Sequence, residues 1–370
     1  MKNMYKAAIV GLGRMGHLLE TDKLNKNSPR THTGAYKFLE DKVKIVSACD
    51  IREDRLSLYR QLWGIDNLYK DYKKMLKNER INILSVSTHA KEHKEIVIEA
   101  ANSGIEAILC EKPISTSLKD AQEMIDECNE TGTILYINHT RRFDDQWRKV
   151  KEIIDNGDIG KLTTITSYSS AGLLNGGSHL FDLLRYYNGE VSSVYGKIRK
   201  DESTDSSGFG LLEFKNGSHA FVDVDFRDYV LFQMNLFGYK GSVRIGGMIR
   251  GDKSFGLGIS EHSPTQAGVM ELKNMEFPEV PITRERMPLV NAINEIIESI
   301  ETGKKPISNG EDGLAALEIA MAFYESDFIN KPVKLPLENR TRIVIPRETS
   351  FTKDGKFPSS YSRDNIIPMN

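Results

Sequence analysis

The chain has 370 residues, 39% of them hydrophobic and 28% charged, with a formal net charge of -2 at pH 7. That length predicts two domains, each able to bury its own core, and the near-balanced charge gives no long-range pull toward nucleic acid or an anionic membrane. No apolar run approaches the roughly 18 residues that span a bilayer, no signal-peptide pattern opens the chain, and Cys49, Cys110 and Cys128 form neither a CxxC pair nor a zinc spacing.

Buried thiols in a reducing, cytoplasmic setting are therefore expected. The first half alternates predicted strand and helix. Ala7-Ala8-Ile9-Val10 is a short apolar run ending at Gly11-Leu12-Gly13-Arg14-Met15-Gly16, the pattern of a buried parallel strand feeding a helix. Further strands are predicted over residues 43–50, 81–87, 107–110 and 134–137. Between them, residues 91–103 and 118–131 carry apolar side chains at helical spacing. They stop at Gly104 and Gly132, natural positions for a left-handed residue after a helix. This alternation predicts an α/β domain with a doubly wound parallel sheet.

A GxGxxG pattern is weak evidence alone, but between an N-terminal strand and a helix it points to a dinucleotide. Gly11 permits the tight turn, Gly13 lets the backbone approach a pyrophosphate, and Gly16 lets helix and strand pack closely. Arg14 and Met15 lie between them on the same cofactor loop. Asp50 closes the second predicted strand, where a carboxylate accepts hydrogen bonds from ribose hydroxyls and repels a 2′-phosphate, favouring NAD. Arg52, two residues on, is able to pair with that phosphate, so NADP stays open. The polar stretch 22–30, with Asn27-Ser28-Pro29, lengthens the Gly16-to-Asp50 spacing and is read as an inserted loop. His89 and His93 have an i, i+4 spacing without a Glu or third ligand in a recognised pattern, and no metal is expected.

Beyond Trp147 the pattern changes. A strand is predicted within 159–168, and runs 208–214 and 219–226 flank Lys215-Asn216-Gly217-Ser218, a hairpin signal. In the second run Ala220, Val222, Val224 and Phe226 alternate with Asp223, Asp225 and Arg227, as in an antiparallel sheet covered on one side. Residues 289–300 and 314–323 read as amphipathic helices around Gly303-Lys304-Lys305-Pro306. The predicted division is a dinucleotide-binding Rossmann domain over 1–140, an α+β domain on a largely antiparallel open sheet over 141–338, and a polar C-terminal extension over 339–370.

Taken in order, the glycine motif, Ala48-Cys49-Asp50, Glu111-Lys112-Pro113, Asn138-His139-Thr140-Arg141-Arg142-Phe143 and Gly177-Ser178-His179-Leu180-Phe181-Asp182 resemble the glucose–fructose oxidoreductase/inositol dehydrogenase family, Gfo/Idh/MocA. The resemblance covers residues 5 to 337. It implies that Glu111, Lys112 and Pro113 lie at the nicotinamide end of the cofactor, with a cis peptide before Pro113, and that Thr88 approaches the same end. Lys112 is implied beside the reacting substrate oxygen, where its ammonium stabilises alkoxide-like charge as hydride leaves carbon. His179 is implied as the acid/base, since an imidazole near its reference pKa exchanges protons around neutral pH. Asp182, one turn on, orients it or binds substrate.

The family pattern around these residues is Asp-x-x-x-His-x-x-Asp, and here Asn175 replaces the first aspartate, leaving hydrogen bonding but no charge. Asn175 joins Lys112 and His179 as a substrate contact; Asn138 and Arg142 sit either at the cleft or in an interdomain brace. The activity implied is NAD(P)-dependent oxidation of a secondary alcohol on a sugar, cyclitol or derivative by a homodimer or homotetramer. Two other activities stay open: an NAD-dependent glycosidase or lyase using transient oxidation, and a non-catalytic dinucleotide sensor, for which Asn175 is the only support. The fold does not name the substrate.

Overall fold

The computed structural model describes residues 4–21, 29–199, 205–227, 229–248, 256–262, 270–272 and 287–346. In chain order the strands and α-helices are β1 Tyr5–Val10, α1 His32–Phe38, β2 Val43–Cys49, α2 Glu53–Trp63, β3 Leu68–Tyr69, α3 Tyr72–Asn78, β4 Ile83–Val86, α4 Ala90–Asn102, β5 Ala107–Cys110, α5 Leu118–Thr131, β6 Ile134–Ile137, α6 Asp145–Asp155, β7 Leu162–Ser170, α7 Gly176–Asn188, β8 Val191–Arg199, β9 Ser207–Phe214, β10 His219–Asp225, β11 Leu231–Gly238, β12 Gly241–Met248, β13 Gly256–His262, β14 Met270–Leu272, α8 Pro288–Thr302, α9 Gly310–Ile329 and β15 Val333–Lys334. They form two compact units, Met1–Asp145 with Thr283–Leu314, and Gln146–Ile282 with Ala315–Asn370. Among the described residues no helix is long and apolar enough to cross a membrane.

The first unit holds a six-stranded sheet in the order β3-β2-β1-β4-β5-β6, parallel throughout. Strands buried on both faces read as nearly continuous apolar runs, and every residue of β4 and β5 is buried, Ser85 included. The helices stop where the sequence says they should. Ser117 caps α5 by accepting the Asp120 N–H at 3.1 Å, and Gly132 ends it in the left-handed region. This order reverses between β1 and β4, which places the ligand crevice at their carboxyl ends.

The segment after the glycine motif departs from expectation. Instead of opening an α-helix at once, it closes a single helical turn, with His17 N–H donating to Gly13 O at 3.1 Å, and continues as a 3-10 helix, Leu18–Thr21. The α-helix begins only at His32, capped by Thr31, whose hydroxyl accepts the Gly34 N–H at 3.0 Å. Glu20 secures that start by accepting from the Arg30 and Thr31 N–H groups and the Thr31 hydroxyl. The inserted loop expected over 22–30 lies outside the described residues for 22–28.

Helix α8 also departs from the predicted division, which gives all of 141–338 to the second domain. Its apolar face, Leu289, Val290, Ile293, Ile296 and Ile297, is buried in the core of the first unit. Each such side chain contributes roughly 1.5–3 kcal/mol when fully buried. Tyr136 OH shares a hydrogen bond with Ser299 Oγ at 2.6 Å, and Asn291 Nδ2 donates to Phe143 O at 2.8 Å. An amphipathic pattern says that a helix buries one face; it does not say against what.

The second unit holds a sheet in the order β14-β13-β12-β11-β7-β10-β9-β8-β15, antiparallel except for the parallel β7–β10 pair. The predicted hairpin joins β9 and β10: Gly217 has φ +85° and Asn216 Oδ1 accepts the Ser218 N–H at 3.0 Å. One face is covered. Phe181 of α7 meets Phe323 of α9 at 5.4 Å between ring centroids, and Trp147 meets Phe232 edge-on at 5.4 Å.

Candidate active site

The dinucleotide turn leaves β1 at Gly11, whose φ of +95° excludes ordinary L residues. A Cβ there would also lie 2.7 Å from the Ser87 carbonyl, and one at Gly16 would lie 2.2 Å from Gly11 O. Gly13 differs: a Cβ would meet only Arg55 Nη1, at 3.6 Å. The fold therefore needs Gly11 and Gly16, whereas the bare backbone at Gly13 leaves room that the fold itself does not fill. This is the cradle a pyrophosphate requires. Arg14 and Met15 lie within the turn; Met15 packs against the core and its carbonyl accepts the His32 N–H at 3.0 Å.

Asp50, buried after β2, holds this turn to the sheet. Its Oδ2 accepts the Leu12 N–H at 2.8 Å and lies 3.3 Å from Arg55 Nη1; its Oδ1 accepts the Arg52 N–H at 2.9 Å. The Arg52 guanidinium turns away, onto Asp54, with Nε to Oδ1 at 3.0 Å and a second close contact to Oδ2. The cation beside the expected ribose position is thus Arg55, which the sequence analysis missed. Its signal was available, an arginine five residues after the strand-ending aspartate, in the first turn of α2. His17, wholly buried against Tyr59 and receiving the Trp63 indole N–H at 3.3 Å, has its pKa pushed down to about 4, first by burial and then by the Arg55 charge, with Asp50 opposing.

At the carboxyl ends of β4, β5 and β6 stand Thr88, Glu111-Lys112-Pro113 and Asn138. The Lys112–Pro113 peptide is cis. Lys112 is half-buried, and its N–H donates to Glu111 Oε2 at 3.3 Å. Glu111 Oε1 accepts from Asn138 Nδ2 at 2.6 Å and pairs with His32 Nε2 at 3.1 Å. Burial pushes the Glu111 carboxyl up, but the hydrogen bond and charge of His32, the Asn138 amide and the Lys112 charge outweigh it and hold the pKa below its ordinary value. His32 Nδ1 meets Ser85 Oγ at 2.9 Å, which in turn meets Tyr36 OH at 2.9 Å. Thr88 Oγ1 and Asn138 Oδ1 are buried without a hydrogen-bond partner among the described residues. Such atoms are costly unless a ligand or water completes them. His93 sets both ring nitrogens against backbone carbonyls, Thr88 O and Ile114 O, each at 3.2 Å, and so braces the loops after β4 and β5.

The contacts of Arg142 with Asp312 and Ile307 are neither a cleft contact nor an interdomain brace: they lie within the first unit. Its guanidinium grips Asp312 with two bonds, 3.0 and 3.1 Å, and donates to Ile307 O at 2.6 Å.

In the second unit, Asn175, His179 and Asp182 lie along the start of α7, with His179 half-buried and Asp182 buried. Residues three and four apart share a helix face, so the sequence pattern does bring these three side chains to one stripe. The turn leading into the helix is pinned by Asp205, a buried carboxylate that accepts the Leu174 N–H at 2.8 Å and the Asn175 N–H at 3.1 Å. Its partners lie about thirty residues away, beyond the reach of local pattern.

The dinucleotide cradle and the orphaned Thr88 hydroxyl fit a bound NAD, which the 11–16 turn and Asp50 would hold at one end and Thr88 at the other. Comparison with known proteins agrees. Residues 5–139 match the oxidoreductase family's NAD-binding Rossmann fold and residues 168–335 match its C-terminal alpha/beta domain. The chain is 27% identical over 354 residues to myo-inositol 2-dehydrogenase of Thermotoga maritima, covering 89% of this chain and 98% of that one. It is 24% identical over 362 residues to scyllo-inositol 2-dehydrogenase (NAD(+)) of Bacillus subtilis, covering 91% and 98%. Its fold matches the WlbA dehydrogenase of Bordetella pertussis, solved with NADH and UDP-GlcNAcA, with a TM-score of 0.71 at 21% identity over 91% of this chain and all of the other. With both of its domains matched in order, the chain belongs to the Gfo/Idh/MocA family of oxidoreductases and carries that family's NAD-binding Rossmann domain.

Proposed function

We propose that the protein reversibly oxidises a secondary alcohol of a sugar, cyclitol or sugar derivative to the ketone, with NAD as the hydride partner. The observation that carries this is Lys112, placed at the carboxyl end of β5 between Thr88 and Asn138 in the unit that bears the dinucleotide turn. Two relatives named above are dehydrogenases of inositols, which are polyols of this class. NAD, when bound, supplies the hydride acceptor. The Lys112 ammonium hydrogen-bonds the alcohol oxygen and stabilises the negative charge that grows there. His179 takes the hydroxyl proton, Asp182 orients the imidazole, and Asn175 hydrogen-bonds the substrate without adding charge.

The protein acts as a homo-oligomer in the cytoplasm. Three buried free cysteines support a reducing compartment. A row of partly exposed side chains, Tyr195, Leu211 and Phe221, in register across β8, β9 and β10, supports association through the open sheet face.

The test is nicotinamide absorbance with NAD and NADP against cyclitols, sugars, sugar acids and nucleotide sugars. Lys112→Ala is expected to lose roughly 100- to 1,000-fold in turnover while still binding dinucleotide. Undiminished turnover in that variant would overturn the assignment.

A further inference from the structure

Beneath Lys112 lies a line of buried side chains to which the proposed chemistry gives no part: Tyr36, Ser85, His32 and Glu111. Donor–acceptor accounting fixes its Glu111 end. An ionised carboxylate only accepts, so His32 Nε2 carries a proton toward Glu111 Oε1. On its other side His32 Nδ1 lies 2.9 Å from Ser85 Oγ, which lies 2.9 Å from Tyr36 OH.

Glu111 dictates the orientation of Asn138. Glu111 and Asn138 stand side by side, one residue beyond the Cys110–Ile137 rung of the β5–β6 pair. Because Glu111 offers only acceptors, Asn138 must turn its NH2 toward it, as the 2.6 Å contact records. A flipped amide would set two oxygens against each other at that distance. The other end of the amide, Oδ1, is therefore a fixed acceptor, and it is the atom left buried without a partner among the described residues. In a sheet ordered 3-2-1-4-5-6 the two halves bind the two halves of a dinucleotide. Asp50 after β2 marks the adenosine half, so Asn138 after β6 faces the nicotinamide half.

We propose that Asn138 Oδ1 accepts a hydrogen bond from the carboxamide N–H of bound nicotinamide, and that Glu111 is the positioning residue that fixes Asn138 as an acceptor. Of the cleft and brace roles open for Asn138 this takes the cleft, toward the cofactor, and it rests on the NAD-dependent function proposed above.

The experiment compares dissociation constants of NADH and its reduced 3-acetylpyridine analogue, in which a methyl group replaces the carboxamide NH2. ADP-ribose, which lacks the nicotinamide, is the control. Wild type is expected to bind NADH about tenfold more tightly than the analogue, the worth of one hydrogen bond. Asn138→Leu erases that preference by weakening NADH alone. Glu111→Gln, whose amide can donate and so lets Asn138 turn, reduces the preference, whereas Glu111→Asp, which still offers only acceptors, keeps it. ADP-ribose binds all of them equally, so a variant that merely misfolds is exposed by its loss. An NADH preference unchanged in Asn138→Leu overturns the proposal and leaves Oδ1 to an internal water. Failure of wild type to bind ADP-ribose overturns the dinucleotide function itself, and this inference with it.

Discussion

Substituting Gly13 and Gly16 separates what the glycine motif does for the fold from what it does for the ligand. A Cβ at Gly16 would sit 2.2 Å from the Gly11 carbonyl oxygen, a backbone atom, so the turn must shift. A Cβ at Gly13 meets only the end of a flexible side chain, Arg55 Nη1, at 3.6 Å, an ordinary contact. Gly13→Ala should therefore leave stability within about 0.5 kcal/mol of wild type, while Gly16→Ala loses more than about 2 kcal/mol. For the ligand the order reverses. A methyl group at Gly13 occupies the space of the pyrophosphate and breaks one charge-assisted hydrogen bond, worth about 1.5–3 kcal/mol. That corresponds to roughly 10- to 100-fold in the dissociation constant for NAD. Urea denaturation and calorimetric titration of the same samples read the two effects. The reasoning fails if Gly13→Ala binds NAD as tightly as wild type, or if it destabilises the protein as much as Gly16→Ala does.

Two further expectations concern the same end of the cofactor turn. His17 is held neutral, with a pKa of about 4 against its ordinary 6.5. Above pH 6.5 neither folded nor unfolded chain binds the proton; below it only the unfolded chain does, so stability is lost as pH falls from 6.5 toward 4. At pH 5 the loss is about 2 kcal/mol. His17→Gln should lack this component in urea denaturation at pH 7.5 and 5, and equal pH dependence in both proteins would contradict it. Cofactor choice is the second. Asp50→Ala frees the Arg55 guanidinium for a 2′-phosphate and should shift the NAD/NADP affinity ratio at least about tenfold toward NADP. Arg52→Ala, whose guanidinium rests on Asp54, should not move the ratio, and a shift there would reassign the role.

The parallel sheet is legible in the sequence because strands buried on both faces leave nearly continuous apolar runs, and glycines such as Gly104 and Gly132 stop the helices between them. Only β3, a two-residue edge strand, falls below that signal. The second sheet is less legible. Its β12 reads GSVRIGGM and lacks the β-branched and aromatic density that marks a strand. Local motifs put Lys112 just past a strand and His179 and Asp182 on a helix, and the structure has Lys112 two residues after β5 and the other two on α7. Pairings across the chain are another matter: His32 and Glu111 are 79 residues apart and Arg142 and Asp312 are 170 apart. No periodicity or spacing links them, so the charge behind Lys112 and the ion pair at Arg142 emerge only once the strands are ordered.

The most direct test of the central claim follows the hydrogen itself. A substrate found by the absorbance panel is deuterated at the carbon that bears the oxidised hydroxyl, and the dinucleotide is examined by NMR after turnover. Hydride transfer to NAD predicts deuterium at C4 of the reduced nicotinamide and one equivalent of ketone. Turnover that leaves the label on the sugar and yields no reduced dinucleotide would contradict it.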